Sequence, residues 1–383
     1  MSARYTVPGV YREEVFLKTQ PELPTGVPGF VGFAEPTGNS DVIFNQPVVF
    51  HRKDEFDARF KSLPGSYLTD AVTGFFLNGG IYCYVALAEP ISDRVAALTA
   101  ALESLAPVTG LDLLAAPDAM TLLGTNGKPD AGAIIRVQGE MLKQAERNGG
   151  RLAILDSLPG AGVDEVKEQR ANALRGMIEP ANGALYFPWL KIADDRLVPP
   201  CGHVAGIFAR SDARSGVYKA PANEEILGAL DLEVAVNNRI QEQLNPEGIN
   251  CLRAFPGRGI RVWGARTISR DPNWRYINVR RIFLTLQRWI DVNMAWATFE
   301  PNTPRLWVRI AREMGAYLEK IWRAGGLAGQ TIEEAFYIKC DAETNPVEAR
   351  DTGRVVTEVG LAPTLPGEFI RVRIIHHTGV EPR

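Results

Sequence analysis

Between residues 91 and 235 the chain alternates short apolar runs with stretches of helical periodicity, and this alternation limits the available folds more than any other feature. LDLLAAP (111–117), RLAILD (151–156) and GALYFPWL (183–190) are strand-length and almost wholly apolar. Such runs suit a sheet covered on both faces. Between and around them three sets recur at helical spacing. They are Val95, Leu98, Leu102 and Leu105; Ile134, Val137, Met141 and Ala145; and Val166, Ala173, Leu174 and Met177. The pattern predicts a mixed α/β fold with a partly parallel sheet and helices on its faces. At 383 residues, two or three domains and a sizeable core are expected.

The flanking sequence differs. Residues 1–20 read as an extended arm, with Pro8-Gly9 breaking any helix and Pro21, Pro24 and Pro28 following. Short strands are expected at GFVGFA and up to Phe50, then a helix over Tyr67–Leu77 and a strand over Ile81–Ala88. The α/β unit is expected over 21–250. A second, α+β unit follows over 251–365, opening with a hairpin at Gly257-Arg258-Gly259. A long helix is expected over Tyr276–Thr298. Another has Thr303 as N-cap and Pro304 at its first position and ends at Gly325-Gly326. Thr331 and Glu334 have capping-box spacing, and strands are expected at FYIKC and RVVTEVGLA. A terminal arm over 366–383 contains a period-two strand with Ile370, Val372 and Ile374 on one face. Burying those three would contribute roughly 4–9 kcal/mol, much of it offset by ordering the tail at about 1–2 kcal/mol per residue. Strand addition to another chain, made strong by multivalency, is one route; folding back on its own domain is the other.

Composition narrows the function. With 42 basic and 45 acidic residues, net charge −3, the chain is no general nucleic-acid or polybasic membrane binder. The uncharged stretch Ala71–Ala88 carries Asn78-Gly79-Gly80 in its middle, which argues for helix then strand rather than a membrane span. The opening residues lack the apolar run of a signal peptide. Cys83, Cys201, Cys251 and Cys340 are far apart, so neither a disulfide framework nor a CxxC pair is present, and a reducing compartment is expected.

Catalytic motifs are lacking. There is no GxSxG, HExxH or Walker A sequence. Asn126-Gly127-Lys128 meets Pro129, and Leu122 stands where a phosphate loop needs glycine. Asp118 and Asp156 follow strands, where α/β sites form, but helix capping accounts for them equally. Cys201 and His203 have no further ligands nearby, and His376-His377 sit alone in the tail; no metal or cofactor is expected.

Charge segregation is the strongest remaining signal. Residues 251–330 carry 14 basic and five acidic side chains, net +9; residues 331–370 carry eight acidic and three basic, net −5. Arg305, Arg309, Arg312, Ala316, Glu319 and Arg323 form one helical stripe opposite Leu306, Ile310, Tyr317 and Ile321. The stripe reads either as a solvated face or as a basic ridge that docks on an acidic partner.

Several motifs resemble contractile tail sheath proteins of phages, tailocins and phage-tail-like injection systems. They are Tyr5-Thr-Val-Pro-Gly-Val-Tyr-Arg-Glu-Glu14, Phe75-Phe-Leu-Asn-Gly-Gly80, Pro199-Pro-Cys-Gly-His-Val-Ala-Gly206 and Ala220-Pro-Ala-Asn223. Towards the C-terminus come Ile277-Asn-Val-Arg-Arg281, Phe299-Glu-Pro-Asn302, Leu306-Trp307, Gly325-Gly-Leu-Ala-Gly329 and Phe336-Tyr-Ile-Lys-Cys-Asp341. The resemblance spans most of the chain. It implies a non-enzymatic subunit that stacks helically around an inner tube on a baseplate and shortens to drive the tube through a target envelope. It implies an outer domain at 21–250, a tube-facing inner domain at 251–365, and arms that add strands to neighbours through Tyr5, Val7, Val10, Tyr11, Ile370, Val372 and Ile374. It places tube contacts at Arg305, Arg309, Arg312, Lys320 and Arg323. Glu333, Glu334, Asp341 and Glu343 are then candidates for charge contacts between subunits. The implied partners are further copies, the tube, baseplate and terminal cap proteins, and paralogous sheath subunits, with no direct nucleic-acid contact and no membrane insertion. Assembly in the bacterial cytoplasm, as part of a virion tail or released particle, is implied too. A nucleotide-binding α/β enzyme with a basic appendage, and a static shell protein, are the competing readings.

Overall fold

The apolar runs of the first two-thirds of the chain enter a single sheet. In chain order its strands are β1 (Pro28–Gly32), β2 (Pro47–Phe50), β3 (Cys83–Leu87), β4 (Leu113–Ala115), β5 (Leu152–Asp156), β6 (Gly183–Phe187), β7 (Ile249–Phe255) and β8 (Gly259–Trp263). In space they lie β8-β7-β6-β5-β4-β1-β3-β2. The inner strands run parallel, and the edge strands β2 and β8 are antiparallel. This computed structural model describes residues 23–37, 43–175, 182–348 and 353–369. Most of both expected arms therefore lies outside the described residues, including Tyr5, Val7, Val10, Tyr11, Ile370, Val372, Ile374 and His376-His377, as does Met177.

The helices are α1 (Lys53–Arg59), α2 (Leu68–Leu77), α3 (Arg94–Ser104), α4 (Ala131–Arg147), α5 (Val163–Ala173), α6 (Cys201–Ser215), α7 (Asn238–Leu244), α8 (Ile277–Asn293), α9 (Pro304–Arg323) and α10 (Ile332–Ala335). Successive strand residues feed opposite layers, and both are apolar. Val31, Leu114 and Leu155 pack with α3, α4, α5 and α7. Phe30, Leu113 and Ile154 pack with α1, α2, α6 and the start of α8. Two-sided burial explains why these strands read as continuous apolar runs.

Asn78 ends α2, and its side chain bonds Gly74 O, while the chain passes into β3. The uncharged stretch is thus half helix and half strand. Among the described residues no helix is long and apolar enough to cross a membrane.

The hairpin at Gly257-Arg258-Gly259 forms, as β7–β8, but it does not open a separate unit. Ile249, Asn250 and Cys251 of β7 pair in parallel with Leu185, Tyr186 and Phe187, so a division at 250/251 falls inside a strand of the large sheet. Burial of Ile249, Cys251, Leu252, Ile260 and Val262 fixes the hairpin there.

Helix α6 has no counterpart in the periodicity reading. Gly202 and Gly206 bring it against α2: an added Cβ would fall 2.2 Å from Ala71 O and 2.4 Å from Phe75 O. Asp156 reaches its start, accepting from Cys201 N at 2.8 Å. Asp118 similarly accepts from Tyr67 N (2.5 Å), just before α2, and from Phe33 N (2.6 Å) and the Ser66 hydroxyl (2.7 Å). Burial pushes Asp118 up to about 6 and Asp156 up to about 7, against these hydrogen bonds. Both aspartates act on helix starts from across the chain.

His203 lies inside α6, 3% exposed, over Gly74, with Nδ1 lacking a hydrogen-bond partner. Burial lowers its pKa to about 4. The fold therefore favours neutral imidazole. The stability this contributes is complete above about pH 6.5, the unfolded value, and is lost as pH falls through 4. Asp118 and Asp156, raised in the fold, change in the opposite sense, losing stability as pH rises. The prediction is consequently a difference: wild type minus His203→Gln should lose about 3 kcal/mol of relative stability between pH 7 and pH 4 in urea titrations. Parallel profiles would contradict it.

Candidate assembly surface

The last third of the chain is fixed to the sheet by a buried ionic cluster. Arg281 of α8 donates Nη1 to Asp212 Oδ1 (2.6 Å) and Nη2 to Asp212 Oδ2 (2.5 Å) and Asp112 Oδ2 (2.9 Å). All three side chains are at most 5% exposed. Arg288, two turns further along α8, brings a second cation 4.0 Å from Asp112. Asp112 also accepts from Gly26 N and Val27 N, which fixes the entry to β1. Burial works to lower the Arg281 pKa, but the two carboxylates outweigh it and hold the guanidinium charged. One residue of α8 thus joins β1, β4 and α6.

Beyond this cluster, α9 separates its chemistry by face. Leu306, Trp307, Ile310, Met314 and Leu318 are buried, and Tyr317 stacks on Trp289 of α8 at 4.3 Å and 10°. Trp307, Met314 and Leu318 belong to this face although periodicity singled out only their neighbours. Thr303 is the N-cap residue without a side-chain capping bond, and Gly325 ends the helix at φ +84°.

Arg305, Arg309, Arg312, Lys320 and Arg323 are all exposed on the opposite side. They are not equivalent. Arg309 stacks over Trp296 (3.5 Å) and pairs with Glu313 (3.1 Å), which also accepts from Trp296 Nε1 (2.9 Å). Arg323 pairs with Glu319 one turn back. Lys320 and Arg309 line a groove with Leu23 and Thr25, so the N-terminal segment enters beside α9. Arg305 and Arg312 form no ion pair among the described residues.

Strands β9 (Phe336–Lys339) and β10 (Glu358–Leu361) form an antiparallel ribbon. Phe336, Ile338, Val359 and Leu361 pack toward α8 and α9, and Tyr337 is 58% exposed. Among the described residues no third strand joins either edge. The acidic positions beside it are exposed but locally engaged. Glu343 pairs with Lys339 (2.7 Å), Asp341 accepts from Glu343 N and Thr344 N, and Glu334 accepts from Gln330 N rather than closing the expected box on Thr331. Glu333 is exposed on α10. After β10 the chain crosses back to the sheet: Asn278 Nδ2 donates to Thr364 O, and Glu368 accepts from Arg266 Nε (3.0 Å) and Nη2 (2.6 Å), Asn245 Nδ2 (2.8 Å) and Tyr276 OH (3.2 Å).

Residues 106–268 match the phage tail sheath protein central domain, and residues 269–375 match the phage tail sheath C-terminal domain. The helical sheath of the anti-feeding prophage in its contracted state is 30% identical, with TM-score 0.78 over 97% of this chain and 99% of that one. The chain belongs to the contractile tail sheath family. The sheath of an extracellular contractile injection system, PVC, in its contracted state is 26% identical, with TM-score 0.75 over 98% of this chain and 99% of that one. The tail sheath protein of Vibrio phage KVP40 is 28% identical over 185 residues, 47% of this chain; the match spans only 27% of that longer protein.

The sheath motifs acquire physical roles here. Asn278 and Arg281 of the Ile277–Arg281 motif tie α8 to Tyr218 O, Thr364 O and the buried aspartates. Asn302 of the Phe299–Asn302 motif bridges Arg354 O and Trp307 Nε1. Replacing Arg281 by Ala strands two buried carboxylates, and should cost about 3–5 kcal/mol. Urea denaturation checks this; a loss under 1 kcal/mol would contradict the role assigned to the cluster.

Proposed function

We propose that this chain is the subunit of a helical sheath that encloses an inner tube and shortens to drive it through a target envelope. The observation that carries the reading is its near end-to-end correspondence with two contracted sheaths. The β9–β10 ribbon supplies the physical route to polymerisation. A two-stranded ribbon is marginal alone, and open edges accept further strands. The arms, residues 1–20 and 366–383, add strands to ribbons of neighbouring copies through Tyr5, Val7, Val10, Tyr11, Ile370, Val372 and Ile374. The unit from α8 to β10 faces the tube, with the basic face of α9 against it, and the α/β unit faces outward. Exposed acids such as Glu333 meet neighbouring copies. Baseplate and cap proteins close the two ends, and assembly takes place in the bacterial cytoplasm.

This scheme requires no nucleotide chemistry. Rotation of subunit bodies exchanges one set of contacts for another while the arms keep neighbours connected. A few kcal/mol per subunit then sums along the polymer.

Arg305→Glu with Arg312→Glu should fold normally, since neither residue forms an ion pair among the described residues, yet should lose tube-templated assembly. Full-length particles of normal yield on electron microscopy would refute the tube-facing assignment. Deleting residues 370–383 keeps the Glu368 anchor; it should leave a folded monomer that does not polymerise. Sedimentation showing contractile sheath from the truncated chain would refute the strand-exchange role of the C-terminal arm.

A further inference from the structure

Beside the Arg281 cluster lie two further guanidinium groups whose charge the described residues leave unbalanced. Arg288 is 7% exposed, yet its Nε, Nη1 and Nη2 find no hydrogen-bond partner. Its ion-pair partner Asp112 stands 4.0 Å away through Oδ2, and that oxygen already accepts from Arg281 Nη2 (2.9 Å) and Gly26 N (3.1 Å). Arg151 is 4% exposed. Its Nη2 donates to Ala106 O (2.8 Å) and Val108 O (2.6 Å), but its Nη1 also lacks a partner. All four orphaned nitrogens are shut off from solvent.

The turn before β5 brings the two side chains together. Gly149 and Gly150 are left-handed, at φ +59° and +65°, and lay the chain directly on α8. A Cβ added at Gly150 would fall 2.2 Å from Arg288 Cγ, and Arg151 is the next residue. Burial, and after it the charge of Arg288, push Arg151 down to about 10, so both groups are cationic at neutral pH. Arg281, Arg288 and Arg151 then face only Asp112 and Asp212, a formal excess of one positive charge. A buried charge needs a counter-charge, and a buried orphan donor needs an acceptor. Water would supply the acceptor and leave the charge. The enclosure limits the size of what can bind, and the single excess charge sets its valence.

We propose that a small monovalent anion, of the size of chloride, binds between Arg288 and Arg151, accepts from their orphaned N–H groups and neutralises the cluster that holds α8 to the sheet. Thermal unfolding of the full-length free subunit in sodium chloride and in sodium gluconate, whose anion is too bulky for an enclosed site, separates binding from ionic strength. At about 0.2 M salt, Tm should stand about 2–4 °C higher in chloride than in gluconate. Arg288→Met removes the excess charge and keeps an apolar stem, so its Tm should be the same in both salts. Crystals of the wild-type chain grown in sodium bromide should show an anomalous peak in contact with both guanidinium groups. That measurement decides the matter even where Arg288→Met does not fold.

Equal Tm in the two salts for wild type overturns the anion site. So does an Arg288→Met variant that keeps the difference, or bromide absent from this position. Glu22 directly precedes Leu23, outside the described residues, and is the chain's own alternative source of negative charge at the entry to β1. Chloride dependence that appears only in Glu22→Gln would assign the counter-charge to that carboxylate and likewise overturn the site.

Discussion

Arg281 is where the two parts of the molecule become one. Its guanidinium reaches Asp212 and Asp112, residues 69 and 169 positions away, and no member of the trio is more than 5% exposed. Breaking such a cluster leaves uncompensated charge in a low-dielectric interior, which is far costlier than losing a surface pair. Arg288 supplies a second positive charge against the second carboxylate. Helix α8 is thereby set on the sheet, and everything that follows it inherits its placement: α9 stacks on α8 through Trp289 and Tyr317, and the β9–β10 ribbon packs on both.

That arrangement suits a subunit of a tail sheath. The rigid elements are large and doubly buried, whereas the elements available for partners are small, edge-exposed and charged. The basic face of α9, the open ribbon, and the points where the chain enters and leaves all belong to or border the C-terminal unit. Leu23 lies in the groove beside α9, and Glu368 is held by Arg266, Asn245 and Tyr276. A connection anchored as at Glu368 can persist while bodies rotate, because the anchor is polar, multidentate and formed within the subunit.

How much of this was legible in the sequence follows from how local each cause is. The helix with Val95, Leu98, Leu102 and Leu105, and the strands at 113–115, 152–156 and 183–187, announce themselves because burial on a face imposes a period. Helix α6 does not. Its first nine residues are buried on every side, it carries two glycines for a helix crossing, and it is anchored by Asp156 from 45 residues away. The hairpin at 257–259 was readable, but its membership of the large sheet depends on β6, which no local pattern reports. The basic stripe was visible as spacing. Its inequality was not, since Arg309 is tied to Trp296 and Glu313 by a fold-back after α8. The Arg281 cluster was hidden altogether, appearing only as an arginine inside a family motif.

The central claim is that one subunit body, locked by the Arg281 cluster, serves two lattices. Cryo-electron microscopy of the assembled particle before and after triggering, at side-chain resolution, tests it most directly. The account predicts two helical lattices in which the described residues superpose as one body, Arg281 bonded to Asp112 and Asp212 in both, with the chain ends lodged in neighbouring copies. A single lattice under all conditions, or an α8 that separates from the sheet on triggering, would contradict it.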